Sequence, residues 1–221
     1  MIYDNINQSL NFGRTTKRGV RIMEKISVVA IERQYCSGGS EIGRLVAEKL
    51  GIPCYDREII EMAAKKMGIS YDEVKKLEES VINPLKTPIS FRIKREKELD
   101  AFEKVFAAEA EIITKIAKKG PCVIVGRCAG YILKNAVPTL KVYIYATNES
   151  RTERAVDEHN IPYKDVENTL KRYDKKRADF FNVNTRKNWS SMLTYDVCFN
   201  STTLGTEGCA NAIAAMARKN K

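Results

Sequence analysis

The segment 28–51, VVAIERQYCSGGSEIGRLVAEKLG, constrains the fold of this chain more than any other. Its unbroken β-branched start predicts a strand covered on both faces, as the central strands of parallel sheets are. A glycine turn follows. Beyond it Ile42, Leu45, Val46 and Leu50 recur at helical spacing from about Ser40, and Gly51 suits a left-handed stop. Strand, glycine turn and helix in that order have the layout of a phosphate-binding loop. Backbone N–H groups wrap an oxyanion in such a loop, and the helix N-terminus adds a favourable dipole. The same layout also describes a tight strand–helix corner packed by glycines.

Gly38 and Gly43 have four residues between them, the G-x-x-x-x-G spacing of a phosphate loop. In this frame Arg44 falls on the first turn of the helix, where a planar, permanently charged fork reaches the outer phosphates. Leu45 then occupies the position of the hydroxyl that holds Mg²⁺ in P-loop enzymes, which leaves the metal ligand unassigned. Ser37 and Ser40 are the nearby hydroxyls.

The rest of the chain alternates in the same way. IPCYD, PCVIVG, LKVYIYAT and YDVCFN read as four further strands. Asp56 is placed to cap a helix ending at Gly68, and SYDE at 70–73 matches a capping box. Residues 81–94, with two prolines, read as a connection, and a helix follows over about 95–119. Helices are expected at about 149–158 and 163–181, and Thr206 can cap a last one. Strands alternating with helices imply an α/β fold with a mostly parallel sheet.

Composition narrows the function classes. No apolar run is long enough to span a membrane. The first 24 residues are polar and basic, lack an apolar core and read as a loosely ordered arm rather than a secretory signal. Six cysteines without a C-x-x-C pair suggest reduced thiols and a cytoplasmic protein. His159 reads as a surface or capping residue and Trp189 as a packing anchor.

The net charge is +10, and residues 171–187 alone hold seven basic and two acidic side chains. That points to an anionic partner, although a solvated basic helix has the same pattern. Nucleic acid is disfavoured, since neither interleaved aromatic and basic residues nor a DNA-reading helix is evident. Several arginines instead fall near strand ends, where open α/β sheets bind ligands. Arg127 follows the third strand, and Arg151 and Arg154 follow the fourth. Asp174 and Arg177, three residues apart, share one helix face, and Asp56 follows the second strand.

CSGGSEIGRLVAEKLGIPCYDREII, CVIVGRCAGYIL, KVYIYATNESRTERA, RYDKKRADFF and FNSTTLG together resemble the cytidylate kinase-like family, a branch of the P-loop nucleoside monophosphate kinases. The resemblance covers about residues 26–215. It implies five parallel strands with helices on both faces, the P-loop NTP hydrolase type. An acceptor-binding insert at about 68–112 and a lid at about 158–190 go with it, both mobile pieces of one domain spanning 25–221. By the same resemblance Ser37, Gly38, Gly39, Ser40, Glu41, Ile42, Gly43 and Arg44 wrap the donor phosphates of ATP, with Mg²⁺. Arg127 holds the acceptor phosphate, Arg151 contacts the donor, and Asp174 and Arg177 meet the acceptor nucleotide. Arg44 and Leu45 depart from the usual Lys and hydroxyl. Leu170 departs from an arginine that serves pyrimidine recognition.

The expected activity is transfer of the ATP γ-phosphoryl group to a small phosphorylated acceptor, CMP or dCMP first. The alternative is a nucleotide-binding protein without catalysis, because the loop is altered.

Overall fold

The computed structural model describes residues 26–80 and 92–218. The arm at 1–24 and the connection at 81–91 lie outside the described residues. Five parallel strands form one sheet in the order β2-β3-β1-β4-β5. These are β1 (Val28–Arg33), β2 (Cys54–Tyr55), β3 (Cys122–Val125), β4 (Thr139–Tyr145) and β5 (Val197–Asn200). The helices are α1 (Gly39–Leu50), α2 (Glu58–Met67), α3 (Tyr71–Ser80), α4 (Arg92–Lys119), α5 (Ala129–Ile132), α6 (Asn148–Asp157), α7 (Tyr163–Thr185) and α8 (Ser201–Arg218).

The continuous apolar run of β1 is explained by its central place. Val29 and Ile31 face Ile42 and Val46 of α1 and Cys209 and Ile213 of α8. Val28 and Ala30 face the opposite layer, with Ile59 of α2, Ile113 of α4 and Leu133. Each valine, isoleucine or leucine among them, fully buried, contributes about 1.5–3 kcal/mol of transfer free energy. In register, Val28 lies beside Cys122 on one side and Thr139 on the other. β1 sends its chain toward the edge strand β2, whereas β4 sends its chain to the opposite edge, β5. A crevice therefore opens at the carboxyl end of β1, the switch point where open α/β sheets bind ligands.

Local signals set most helix ends. Gly51 and Gly68 end α1 and α2 at φ 65° and 68°, as expected of left-handed stops. The Ser70–Glu73 capping box closes: the Ser70 N–H donates to Glu73 at 2.8 Å, and the Glu73 N–H donates to Ser70 Oγ at 3.2 Å.

Two local expectations need correction, and a third gains a partner from elsewhere in the chain. Residues 92–94 belong to α4 rather than to a connection. Asp56 does not cap α2; Arg57 is at the N-cap, and the Asp56 carboxylate accepts from Arg33 instead. Thr206 does open the last helical segment, because Ser201–Arg218 is two helices broken at Gly205 (φ 67°, ψ 169°), but its hydroxyl donates to Glu41 at 3.1 Å. In the last two cases a distant charged partner draws the side chain away from its own backbone.

The segment read as a lid carries more apolar anchorage than its sequence suggests. Val166 and Leu170 of α7 bury against Cys36 and Ala155. Phe181 and Trp189 bury with Phe106, Cys128 and Tyr143. Among the described residues no helix is long and apolar enough to cross a membrane.

Candidate functional site

The loop between β1 and α1 lies at the switch point. β1 ends at Arg33 and α1 begins at Gly39, with Cys36 at φ 57° and Gly38 at φ 76°. Turns of this kind arrange successive N–H groups as anion-binding concavities. A helix leaves its first N–H groups without intrahelical acceptors, here those of Gly39, Ser40 and Glu41. The Ile42 N–H is already bonded to the Gly38 carbonyl at 2.9 Å.

This corrects the frame of the glycine spacing. The strand end and the helix start anchor the G-x-x-x-x-G-K-[ST] pattern at Arg33, 34–37, Gly38, Gly39 and Ser40. Ser40 then takes the hydroxyl position and Gly39 the lysine position. Gly43 lies inside α1 as a packing residue, where an added Cβ would sit 2.6 Å from Val125 Cγ2. Ile42 is fully buried in the core. Arg44 stands on the second turn, not the first, and is exposed. Local spacing could not decide between Gly38 and Gly43 as the closing glycine, because both lie in one short segment; the packing of α1 against β3 decides it.

Neighbouring elements hold the loop firmly. The Ser37 hydroxyl lies 2.8 Å from the Gln34 carbonyl and 3.3 Å from that of Ile144, placed to donate to either. Asp174 accepts from the Tyr35 N–H at 2.7 Å, and Arg151 Nε donates to the Tyr35 carbonyl at 2.8 Å. Arg151 and Asp174 also pair with each other at 2.5 Å, with Arg151 only 4% exposed. The Tyr35 ring stacks on Tyr173 with centroids 4.3 Å apart. Glu41 accepts from Arg154 at 2.9 Å and from the Thr206 hydroxyl at 3.1 Å. The Ser201 hydroxyl reaches the Ser37 carbonyl at 2.7 Å.

The edge beyond β3 is strained in a directed way. Gly126, Arg127 and Cys128 are consecutive left-handed residues, at φ 79°, 59° and 57°. Non-glycine residues adopt this region at a cost, and such strain concentrates at functional sites. The turn carries Arg127 to Glu109 of α4, whose two oxygens accept from Nη2 at 2.6 and 2.7 Å. It also presents the Cys128 N–H to Glu32 at 3.2 Å, while Trp189 Nε1 donates to the other Glu32 oxygen at 3.3 Å.

The arginines expected at the ends of the strands are met by carboxylates. Arg33 pairs with Asp56, Arg127 with Glu109, Arg151 with Asp174, and Arg154 with Glu41 and Glu158. Arg177 donates to the Arg33 carbonyl at 2.9 Å. Burial, and then the nearby Arg33 charge, lower its pKa to about 10. Burial raises the pKa of Glu32, opposed by Arg33 and by its two hydrogen bonds. The Cys36 thiol is pushed up to about 11 by burial, so it stays protonated at neutral pH.

The sequence matches the profile of the cytidylate kinase-like family over residues 28–203, most of the chain. The chain belongs to the cytidylate kinase-like family. A crystal structure of an uncharacterized protein from Eubacterium ventriosum is similar to it with a TM-score of 0.64 and 22% identity, covering 86% of this chain and 97% of that one. A shikimate kinase from Bacteroides thetaiotaomicron is similar with a TM-score of 0.51 and 12% identity, covering 86% and 97%. A Thermus thermophilus protein gives 0.52 and 15%, covering 90% and 100%. At these identities the likeness shows the fold. No curated protein matches the sequence. Family and fold together are those of nucleotide-dependent phosphotransferases.

For a member of the cytidylate kinase-like family, the structure gathers Ser37–Glu41, Asp56, Arg127, Arg151, Asp174 and Arg177 around one loop end. Arg44 sits one helical turn away. Sequence reasoning missed Glu32, Arg33, Tyr35 and Glu109. Glu109 left a signal, because it interrupts the apolar stripe of Phe102, Phe106 and Ile113 at helical spacing. Arg33 left one too, as a charge ending a buried strand just before the turn.

Proposed function

We propose that this protein transfers the γ-phosphoryl group of ATP to a small phosphorylated acceptor, with CMP or dCMP as first candidates. The observation that supports this most is the gathering of Arg33, Arg151 and Arg177 on one glycine loop, with Arg127 on the next strand end. A transferring phosphoryl group spreads negative charge over its oxygens, so catalysis is mainly positioning and charge neutralisation. An acceptor phosphate oxygen bonds to the γ-phosphorus as the bond to the β–γ bridging oxygen breaks, and ADP leaves with that electron pair. The second pKa of a phosphate monoester is about 6, so no side chain has to remove a proton at neutral pH.

In this reading the N–H groups of Gly38 to Glu41 hold the donor phosphates. Arg127 takes the acceptor phosphate, while Asp56, Asp174 and Arg177 border the acceptor. Arg151 shapes the donor side by fixing Tyr35, and Arg44 lies close enough in sequence to add charge from the second turn. Arg177 remains charged at neutral pH even at about 10. The Ser40 hydroxyl on the first turn of α1 fits Mg²⁺, which when bound neutralises charge between phosphate oxygens. Unpaired cysteines suit the cytoplasm.

The glycine at the lysine position favours one second reading, a protein that binds nucleotide without turnover. A coupled ADP-release assay over nucleoside monophosphates, beside calorimetric titration with ATP and Mg²⁺, separates the two. Acceptor-dependent ADP release supports the kinase. Binding without turnover over the whole panel supports the second reading. Absence of ATP binding overturns both.

A further inference from the structure

We infer that Arg33 supplies the polyphosphate-binding cation that this loop pattern ordinarily places on the first helical residue. The inference rests on the phosphate-loop reading above. Anchored by the strand end and the helix start, the pattern gives its first glycine to Arg33 and its lysine to Gly39. The two residue types have in effect changed places.

The packing agrees with an exchange. A Cβ at Gly39 would lie 2.4 Å from Arg33 Cβ and 2.7 Å from its Cγ. The Arg33 stem thus fills the space in which a lysine at 39 would begin. A Cβ at Gly126, after β3, would lie 2.1 Å from Arg33 Nη1. Two glycines, one at the head of α1 and one at the end of β3, therefore leave the channel through which Arg33 runs. Its guanidinium ends between the carboxyl ends of β2 and β3, held by Asp56 at 3.0 Å. That is the side of the loop facing Arg127, where donor and acceptor phosphates would meet.

A purely structural ion pair would be expected to satisfy the whole fork. Arg33 does not: its Nε is buried and has no acceptor among the described residues. The Arg33 side chain keeps 14% of its surface exposed, and a phosphate oxygen reaching that part of the fork meets planar N–H donors and a charge to match. The Arg33 backbone is fixed as well, since its carbonyl takes the hydrogen bond from Arg177. Gly39 imposes the converse condition. Any side chain there meets the Cβ of Arg33, which cannot swing away, so a lysine at 39 and an arginine at 33 exclude each other.

The test uses the whole chain, with Mg²⁺, and titrates ATP and then tripolyphosphate, which has no base or sugar to bind. Circular dichroism and melting temperature establish that each variant is folded. Arg33→Gln keeps the Cβ and Cγ of the stem over Gly39 but removes the charge. Loss of a charge-assisted bond predicts affinity lower by about ten- to a hundredfold for both probes. Gly39→Lys alone should clash and bind no better than wild type. The exchange variant, Arg33→Gly with Gly39→Lys, should recover most of the affinity lost in Arg33→Gly. A folded Arg33→Gln protein with unchanged tripolyphosphate affinity overturns the inference, and so does an exchange variant that is folded but not rescued. If wild type binds neither probe, the phosphate-loop reading itself falls. That outcome is distinct from a wild type that binds and an Arg33→Gln variant that binds equally well.

Discussion

Replacing Glu109 with alanine tests whether the basic edge is held together by its own carboxylates. Glu109 is fully buried, and both of its oxygens accept from Arg127 Nη2, at 2.6 and 2.7 Å. The Arg127 side chain is 13% exposed, and its guanidinium lies 4.1 Å from the centre of the Phe180 ring. Glu109→Ala leaves this cation against an aromatic face, shielded from water and without its carboxylate. Breaking a buried pair from one side costs about 3–5 kcal/mol. At about 2–4 °C per kcal/mol for a chain of this size, the melting temperature should fall by roughly 6–20 °C. Urea unfolding followed by Trp189 fluorescence gives the free energy directly. The double variant Glu109→Leu with Arg127→Met should recover most of the loss, because an apolar pair of similar volume is often as stable as a buried ion pair. The reasoning fails if Glu109→Ala costs less than about 1 kcal/mol, or if the double variant loses as much as the two single variants summed.

Gly43→Ala places a methyl 2.6 Å from Val125 Cγ2 and should destabilise by about 1–3 kcal/mol through overpacking, with ATP affinity kept. A drop in affinity without a loss of stability would return Gly43 to the phosphate loop. Ser40→Ala should abolish the gain in ATP affinity that Mg²⁺ confers while leaving Mg²⁺-free binding nearly unchanged; an undiminished Mg²⁺ effect removes Ser40 from the metal site. Glu32 has a folded pKa raised above 4.5 by burial. Its folded state therefore holds the proton more tightly than the unfolded state. The stabilisation is fully present below about pH 4.5 and is lost as pH rises through the folded value. Measured against Glu32→Gln, wild type should gain stability as pH falls from 7 toward that value, and a flat or opposite difference refutes the assignment.

Elements and stops were legible because they rest on interactions within a few residues. The β-branched run of 28–31 needs only its own composition to favour a buried strand. Gly51, Gly68 and the Ser70–Glu73 box act within one turn. The order of such segments was enough to place the chain in a family and a fold class. Pairings between distant residues were not legible. Asp56 and Thr206 read as helix caps because their own backbones are the partners visible in sequence, yet Arg33 and Glu41 are the partners that the folded chain brings nearer. The loop register had the same origin. Gly38 and Gly43 are both plausible in sequence, and only the approach of α1 to Val125 makes one of them a packing glycine. Charge was legible in amount but not in state, since a +10 chain gives no sign that Arg127 is met by a fully buried Glu109. The sequence by itself determined the elements, their order and the presence of a glycine turn after the first strand, because short-range sterics and hydrogen bonds govern those. The tertiary structure decided which glycine closes the loop, which arginine lies over it and which carboxylate holds each cation, because those depend on segments far apart in the chain meeting at one edge of the sheet.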